Sequence, residues 1–366
     1  MKTNTIIALA LLLLLSTAVF SQVTLKPPVN LRIGSWNTMM QPWLNNEADV
    51  IRTVGETKFD VLALQSVWTV EAKDRIISDP SVRRKYAYNY YVPAYNVEPA
   101  GIDLEDPVLN YLAQNYVGCL IAYGVNTQQL LQPATATPFD CLYLRIGVMI
   151  HNYHPTNQIG AACLDNAMQE LPLDRAFESI GICGSGNGFK HVYGGRPGIL
   201  ILSRYPLSNV VEVPFESIRE RRINLHATIA GLRFGFGHFA TNTLADIDPY
   251  LAPLQYGNLQ TDQANDMINV GAEIVVGTTN SGPDYQPEAH NLFISSGFRA
   301  LFSEPTYCPT ATHSAFSQCV MNPGPRSIDN IYISSRRNAT CRTEKFALAP
   351  ISDHIGISAT CLIGTP

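Results

Sequence analysis

Residues 223–239 read INLHATIAGLRFGFGHF, two alternating runs joined at a single glycine, Gly231. Apolar residues recur at every second position on both sides of the join, which is the period of a half-buried strand and not of a helix. The stretch predicts an antiparallel hairpin over 223–230 and 232–239. Runs of the same style lie on either side of it. GILILS (198–203) and NVVEVPF (209–215) precede it, and EIVVG (273–277), DNIYIS (329–334) and HIGISAT (354–360) follow. Near the start, LRIGSWN (31–37) and DVLALQ (60–65) read the same way. Helices are predicted for NNEADVIRTV (45–54), with an Asn cap and acids in the first turn, for LQTDQANDMINVGA (259–272), and near 286–297. Strands outnumber helices and fall into two strand-rich halves. The expected fold is therefore α/β, with two packed sheets and helices outside. No repeat recurs at a fixed period, which leaves open two symmetric halves that have diverged.

The 366 residues are 46% hydrophobic, enough for a sizeable core. Strands resume in the same style after residue 190, so residues 22–366 are expected to form one domain with a long Cys-bearing insertion at about 85–190. The insertion has one clear apolar run, LYLRIGVMI, and a group of tyrosines: Tyr86, Tyr88, Tyr90, Tyr91 and Tyr95. Those rings are expected to pack under a long loop, with a ligand- or lipid-facing patch as the other reading.

The first 21 residues hold one lysine, an apolar run and small residues near Val19 and Ser21. They are read as a secretory signal peptide cleaved before Gln22. No later run approaches the roughly 20 apolar residues of a membrane span. A secreted setting fits eight cysteines, all beyond the leader and none in C-x-x-C spacing. Disulfides are expected, with neighbours paired as Cys119–Cys141, Cys163–Cys183, Cys308–Cys319 and Cys341–Cys361, one connectivity among many. Asn338-Ala339-Thr340 is a glycosylation sequon. The net charge of −5 comes with no extended basic run, which weighs against nucleic acid as a partner.

Several strands begin or end on polar residues: Asn37, Gln65-Ser66, His238, Asn280 just past EIVVG, Asp329, and Asp353-His354. Singly, each has a bland reading as a turn former or a satisfied core residue. Two lookalikes are set aside as loops: GSGNG (184–188), and His151 with His154.

The motifs LRIGSWNT, DVLALQS, GGRPGILILSRYPL, FGFGHF, IVVGTTN, SIDNIYIS and ISDHIGI, in this order over residues 30–361, resemble the endonuclease/exonuclease/phosphatase superfamily. RRINLHATIAGLRFGFGHF and the Cys-bearing insertion are similar in style to its secreted sphingomyelinase-like branch. The resemblance implies a four-layer α/β sandwich, with two packed mixed β-sheets and helices outside. It also implies Mg2+-dependent attack of water on a phosphodiester, with a phospholipid headgroup among the partners.

Carried over by position, Asn37 would hold metal or phosphate, His238 would bond phosphate oxygens and Asn280 would orient the phosphate. Asp329 would orient His354, the general acid/base, and Asp353 would stand on the metal side. Two carboxylates of the pattern are missing. Ser66 stands where the family has its metal-binding Glu, and Thr278 where it has the Asp that acts on water. Glu71 and Asp284 are the nearest downstream acids and are out of register. Two readings remain. One is a binder with a disabled site and no required cofactor. The other is a working Mg2+ phosphodiesterase with a rearranged one. The motifs imply no protein partner or oligomeric state.

Overall fold

A computed structural model describes residues 28–40, 46–92, 114, 197–215, 222–240, 257–310 and 324–364. In chain order the elements are β1 (Val29–Met40), α1 (Glu47–Glu56), β2 (Val61–Val67), α2 (Val70–Ser78), α3 (Pro80–Arg83), β3 (Tyr88–Tyr91) and β4 (Leu200–Ser203). There follow β5 (Leu207–Phe215), β6 (Arg222–Ile229), β7 (Leu232–His238), α4 (Gly257–Asn269), β8 (Ile274–Thr278), α5 (Glu288–Ser295) and β9 (Phe298–Ala300). The last three are β10 (Asp329–Ser334), β11 (Ala339–Phe346) and β12 (Gly356–Ile363).

The strands form two six-stranded mixed sheets, ordered β11-β12-β1-β2-β4-β3 and β5-β6-β7-β8-β10-β9. The 223–239 stretch is the predicted hairpin, with β6 and β7 antiparallel and Ala230-Gly231 both at positive φ in the turn. Inward-facing Ile33, Ala63, Phe234, Phe236, Val276, Ile331 and Ile357 belong to one core cluster between the sheets. On the outside of the first sheet, Val50, Val54, Ala72 and Ile76 of α1 and α2 meet Leu62, Leu64 and Leu202. On the outside of the second, Ala264, Met267, Ala289 and Phe293 of α4 and α5 meet Val275 and Tyr332. The layering is helix, sheet, sheet, helix, the expected sandwich.

The two sheets also share one pairing scheme. Each has a single parallel pair at its centre, β1 with β2 and β7 with β8, flanked by antiparallel strands. In each parallel pair the crossover contains a helix, α1 or α4. The two diverged halves left open by the sequence are therefore visible in the topology.

Three short or polar strands escaped the sequence reading: β3, β9 and β11. The first, YNYY, pairs with β4 at the sheet edge, so residues 88–91 belong to the sheet and not to the insertion expected from about 85. Tyr86 is buried, with its hydroxyl 2.9 Å from that of Thr57. Tyr90 bonds Glu212 across to β5. β11, ATCRTEKF, is an exposed edge strand with charged side chains, and its pattern carries no apolar signal.

Cys341 and Cys361 are register partners on β11 and β12 and form the expected disulfide. Cys308 is also disulfide-bonded. Asn338 is exposed in the turn before β11. The leader, LYLRIGVMI, GSGNG, His151, His154, Tyr95, Cys119, Cys141, Cys163, Cys183 and Cys319 lie outside the described residues. Among the described residues no helix is long and apolar enough to cross a membrane.

Candidate functional site

Strand alternation builds the site by carrying the core rows one rung further. Phe236, Val276 and Ile331 face the core, and two residues on along the same faces stand His238, Thr278 and Asp329. These three form one lateral row, because Thr278 is the register partner of both His238 and Asp329. In the other sheet, Ile33 and Ala63 are followed on the same faces by Ser35 and Gln65, and Asn37 is the register partner of Gln65. The polar rows meet at the carboxyl ends of the two parallel pairs, the usual place for a ligand in sheets with such crossovers.

A chain of buried contacts joins them. Gln65 Oε1 lies 3.5 Å from Ser35 Oγ and 3.5 Å from Thr278 Oγ1. Thr278 Oγ1 donates to Asp329 Oδ1 at 2.5 Å, and Asp329 Oδ2 lies 2.7 Å from His354 Nδ1. Asn37 Nδ2 stands 3.3 Å from His354 Nε2. In neutral His354, Nδ1–H donates to Asp329 and Nε2 accepts from the Asn37 amide. Protonation at Nε2 requires Asn37 to present its carbonyl oxygen instead.

Backbone contacts hold His354 in place. Ser352 Oγ donates to Asn37 O at 2.8 Å and accepts from His354 N at 3.1 Å, and Trp36 Nε1 donates to His354 O at 3.1 Å. The Tyr307 ring centre lies 4.9 Å from that of His354. Asn46, expected as a helix cap, occupies the cap position but makes no capping bond. Its amide donates instead to Thr38 O, Met39 O and Ile351 O, tying the end of β1 to the loop that precedes His354.

The two histidines differ in charge preference. Burial opposes a charged His354, but the carboxylates of Asp329 and Asp353 outweigh it and hold its pKa above the ordinary histidine value. Burial, reinforced by the positive charges of Arg222 and His354, holds His238 well below that value. Burial also raises the pKa of Asp353, against the pull of His354, whose Nε2 is 3.9 Å away. His354 is thus set up as a proton donor and acceptor braced by a carboxylate, and His238 as a neutral hydrogen-bonding ring.

Of the residues singled out in the sequence, Asn37, Asp329, Asp353 and His354 come together directly. His238 sits in the same row as Asp329, its ring centre 5.9 Å from that of Trp68. The side chain of Asn280 is committed elsewhere: Nδ2 donates to Phe239 O at 2.8 Å, bracing the end of β7 beside His238. Glu71 is exposed on the first turn of α2. Asp284 accepts from Ser327 N and Oγ. Neither supplies the missing carboxylates.

The sequence reading did not single out Gln65 as a link, nor Ser352, Tyr307 or Arg222. Ser352 had a local signal, since a Ser two residues before a buried residue commonly bonds its backbone N–H. Arg222 is buried at the start of β6, an unusual place for arginine.

The donors present do not fit the magnesium ion implied by the motifs. Mg2+ takes hard oxygen ligands, usually with one or two carboxylates. Here Ser66 and Thr278 offer hydroxyls, and that of Thr278 is committed to Asp329. Asp329 is engaged by His354 and Thr278, which leaves Asp353 as the one remaining carboxylate. Among the described residues no three His, Cys, Asp or Glu side chains stand at metal-binding spacing.

No family model and no curated protein matches the chain. Among solved structures, it is similar to a beta toxin mutant from Staphylococcus aureus with bound magnesium ions. The two are 13% identical with a TM-score of 0.49, over 91% of this chain and 99% of that one. It is also similar to sphingomyelinase C from Streptomyces griseocarneus, at 10% identity and a TM-score of 0.48 over 92% and 100% of the two chains. A third likeness is to an endonuclease/exonuclease/phosphatase from Beutenbergia cavernae, at 13% identity and a TM-score of 0.46 over 92% and 72%. These are likenesses of fold, and the two-sheet assignment stands on the strand pairings themselves.

Proposed function

We propose that the protein is a secreted binder of phosphate esters, built on a phosphodiesterase-like sandwich whose divalent-cation site is disabled. One observation supports this above the others. The His354–Asp329 pair is intact, while the neighbouring Thr278 hydroxyl bonds Asp329 where the family pattern has an acid. The acid/base residue is thus present without the carboxylates that would hold Mg2+ and act on water. Disturbing even the partners of metal ligands typically costs about 10–100-fold in affinity or activity, and two missing carboxylates weigh more heavily. A leader-like start, disulfides and an exposed sequon at Asn338 support the secreted setting.

The intact pair also favours a second reading, a working Mg2+ phosphodiesterase with a rearranged site. Calorimetric titration with Mg2+, alongside assays on sphingomyelin, DNA and a generic phosphodiester, separates the two. The native chain is expected to bind little Mg2+ and to turn over none of the three. Ser66→Glu combined with Thr278→Asp is expected to gain both Mg2+ affinity and some hydrolysis. Native turnover that EDTA and His354→Ala each abolish would establish the second reading in place of the first.

A further inference from the structure

Ser66 carries three unfavourable features at once. Its φ is +60°, in the left-handed region that residues other than glycine seldom adopt. It is fully buried. Its hydroxyl has no hydrogen-bond partner, although a buried hydroxyl normally finds one. Strain of this kind persists where the surrounding structure imposes it, and such positions cluster at ligand sites.

The left-handed turn has a definite geometric effect. Gln65 reaches inward to Ser35 and Thr278, yet Val67, two residues later, packs in the outer cluster with Leu62 and Leu64. In an unbroken strand both would share a face. Ser66 is therefore the residue at which the strand changes face, at the carboxyl edge of its sheet. On one side of it Gln65 contacts Thr278, and on the other the Trp68 ring lies 5.9 Å from that of His238. His238 has its own buried unpartnered atom, Nδ1. A positive charge from buried Arg222 acts on His238.

We infer that Ser66 is an anion-binding residue, its Oγ donating a hydrogen bond to an oxygen of a phosphate group that binds without a divalent cation. On this account the exchange of carboxylate for hydroxyl reverses the site's preference. A position that would attract a cation becomes one that donates to a phosphate oxygen. The inference rests on the phosphate-binding reading above and names a contact that reading does not contain. The phosphate is that of a soluble ester or of a phospholipid headgroup.

The test measures stability and binding in the same variants. Native chain, Ser66→Ala and Ser66→Gly are titrated in EDTA with inorganic phosphate and phosphocholine by calorimetry, and with sphingomyelin vesicles by flotation. Whichever source binds the native chain is expected to bind both variants about tenfold more weakly, the scale of one lost hydrogen bond. Without ligand, Ser66→Ala is expected to melt no lower than the native chain. Ser66→Gly is expected to melt higher, because it removes both the unpaired hydroxyl and the strained φ. Unchanged affinity in both variants, with melting lowered in Ser66→Ala, would make Ser66 structural and overturn the inference while leaving phosphate binding intact. Binding by the native chain only when Mg2+ is added, or not at all, would overturn the phosphate-binding reading and this inference together.

Discussion

Thr278 shows how one hydroxyl sets the contacts of a buried carboxylate. An acid at this position would face Asp329 with a like charge, whereas the threonine hydroxyl donates to it at 2.5 Å. Thr278→Val keeps the shape and removes the donor. It is expected to cost about 1–3 kcal/mol, the range for leaving a buried polar partner unsatisfied. It should also raise the His354 pKa further, because Asp329 then turns its full charge on the ring. NMR titration of the His354 ring reads the second effect and chemical denaturation the first.

The two histidines give stability opposite pH dependences. His354 has a raised folded pKa, so its stabilisation is fully present below about pH 6.5 and lost as pH rises through the higher folded value. His238 has a lowered folded pKa, so its contribution is present above about pH 6.5 and lost as pH falls towards the folded value. Urea denaturation across this range should show Asp329→Asn costing about 3 kcal/mol on the acid side and less on the alkaline side. His238→Gln should flatten the acid limb alone. At this scale the sequence revealed which residue types stand at the strand ends, and so Asn37, Asp329, Asp353 and His354 as a group. It could not reveal that Asn280 faces a backbone carbonyl or that Gln65 meets Thr278, because those contacts join residues distant in sequence.

Elements were legible where a regular apolar period coincided with burial. β6 and β7 show it on one face each, and β2 is buried along its whole length. β11 was not legible, because an edge strand facing solvent needs no apolar face. β9 has only three residues, too few to show a period. Close packing between elements supports the site as well. Gly277, at φ +150°, lies so near β7 that a Cβ would come within 1.9 Å of Gly237 O. Gly277→Ala must push apart β7 and β8, the strands bearing His238 and Thr278. A loss of about 4 kcal/mol or more is expected, in the range reserved for severe backbone or core disruption. Thermal melting of the variant measures it. On the other face of the same sheet, Asp266 of α4 accepts from Asn224 Nδ2 at 2.8 Å and lies 2.7 Å from His226 Nε2. This part-buried polar clip fixes the crossover helix to β6, and no apolar period announces it.

For the molecule as a whole, the matching pairing schemes give the site its position on the seam between two equivalent halves. Asn37 and His238 hold corresponding places at the ends of the first strands of the parallel pairs, and Gln65 and Thr278 at the ends of the second. The last pair touches across the seam at 3.5 Å. The layered architecture was legible from the sequence because it needs only strand count and order, while the symmetry was not, because it resides in pairings and not in residue identity. The position of β12 has a consequence in time. It lies between β11 and β1 within its sheet, and His354, two residues before it, meets Asn37 across 317 positions of chain. Contacts that close so long a loop form slowly, since the entropy of closure is lost before any contact repays it. The His354–Asp329–Asn37 group should therefore be among the last parts of the protein to assemble during refolding. A stopped-flow experiment following Trp36, whose indole bonds His354 O, should show its final signal arriving with the slowest phase. A phosphate ligand added at the start should not speed that phase, because the surface it would recognise does not exist until the phase is over.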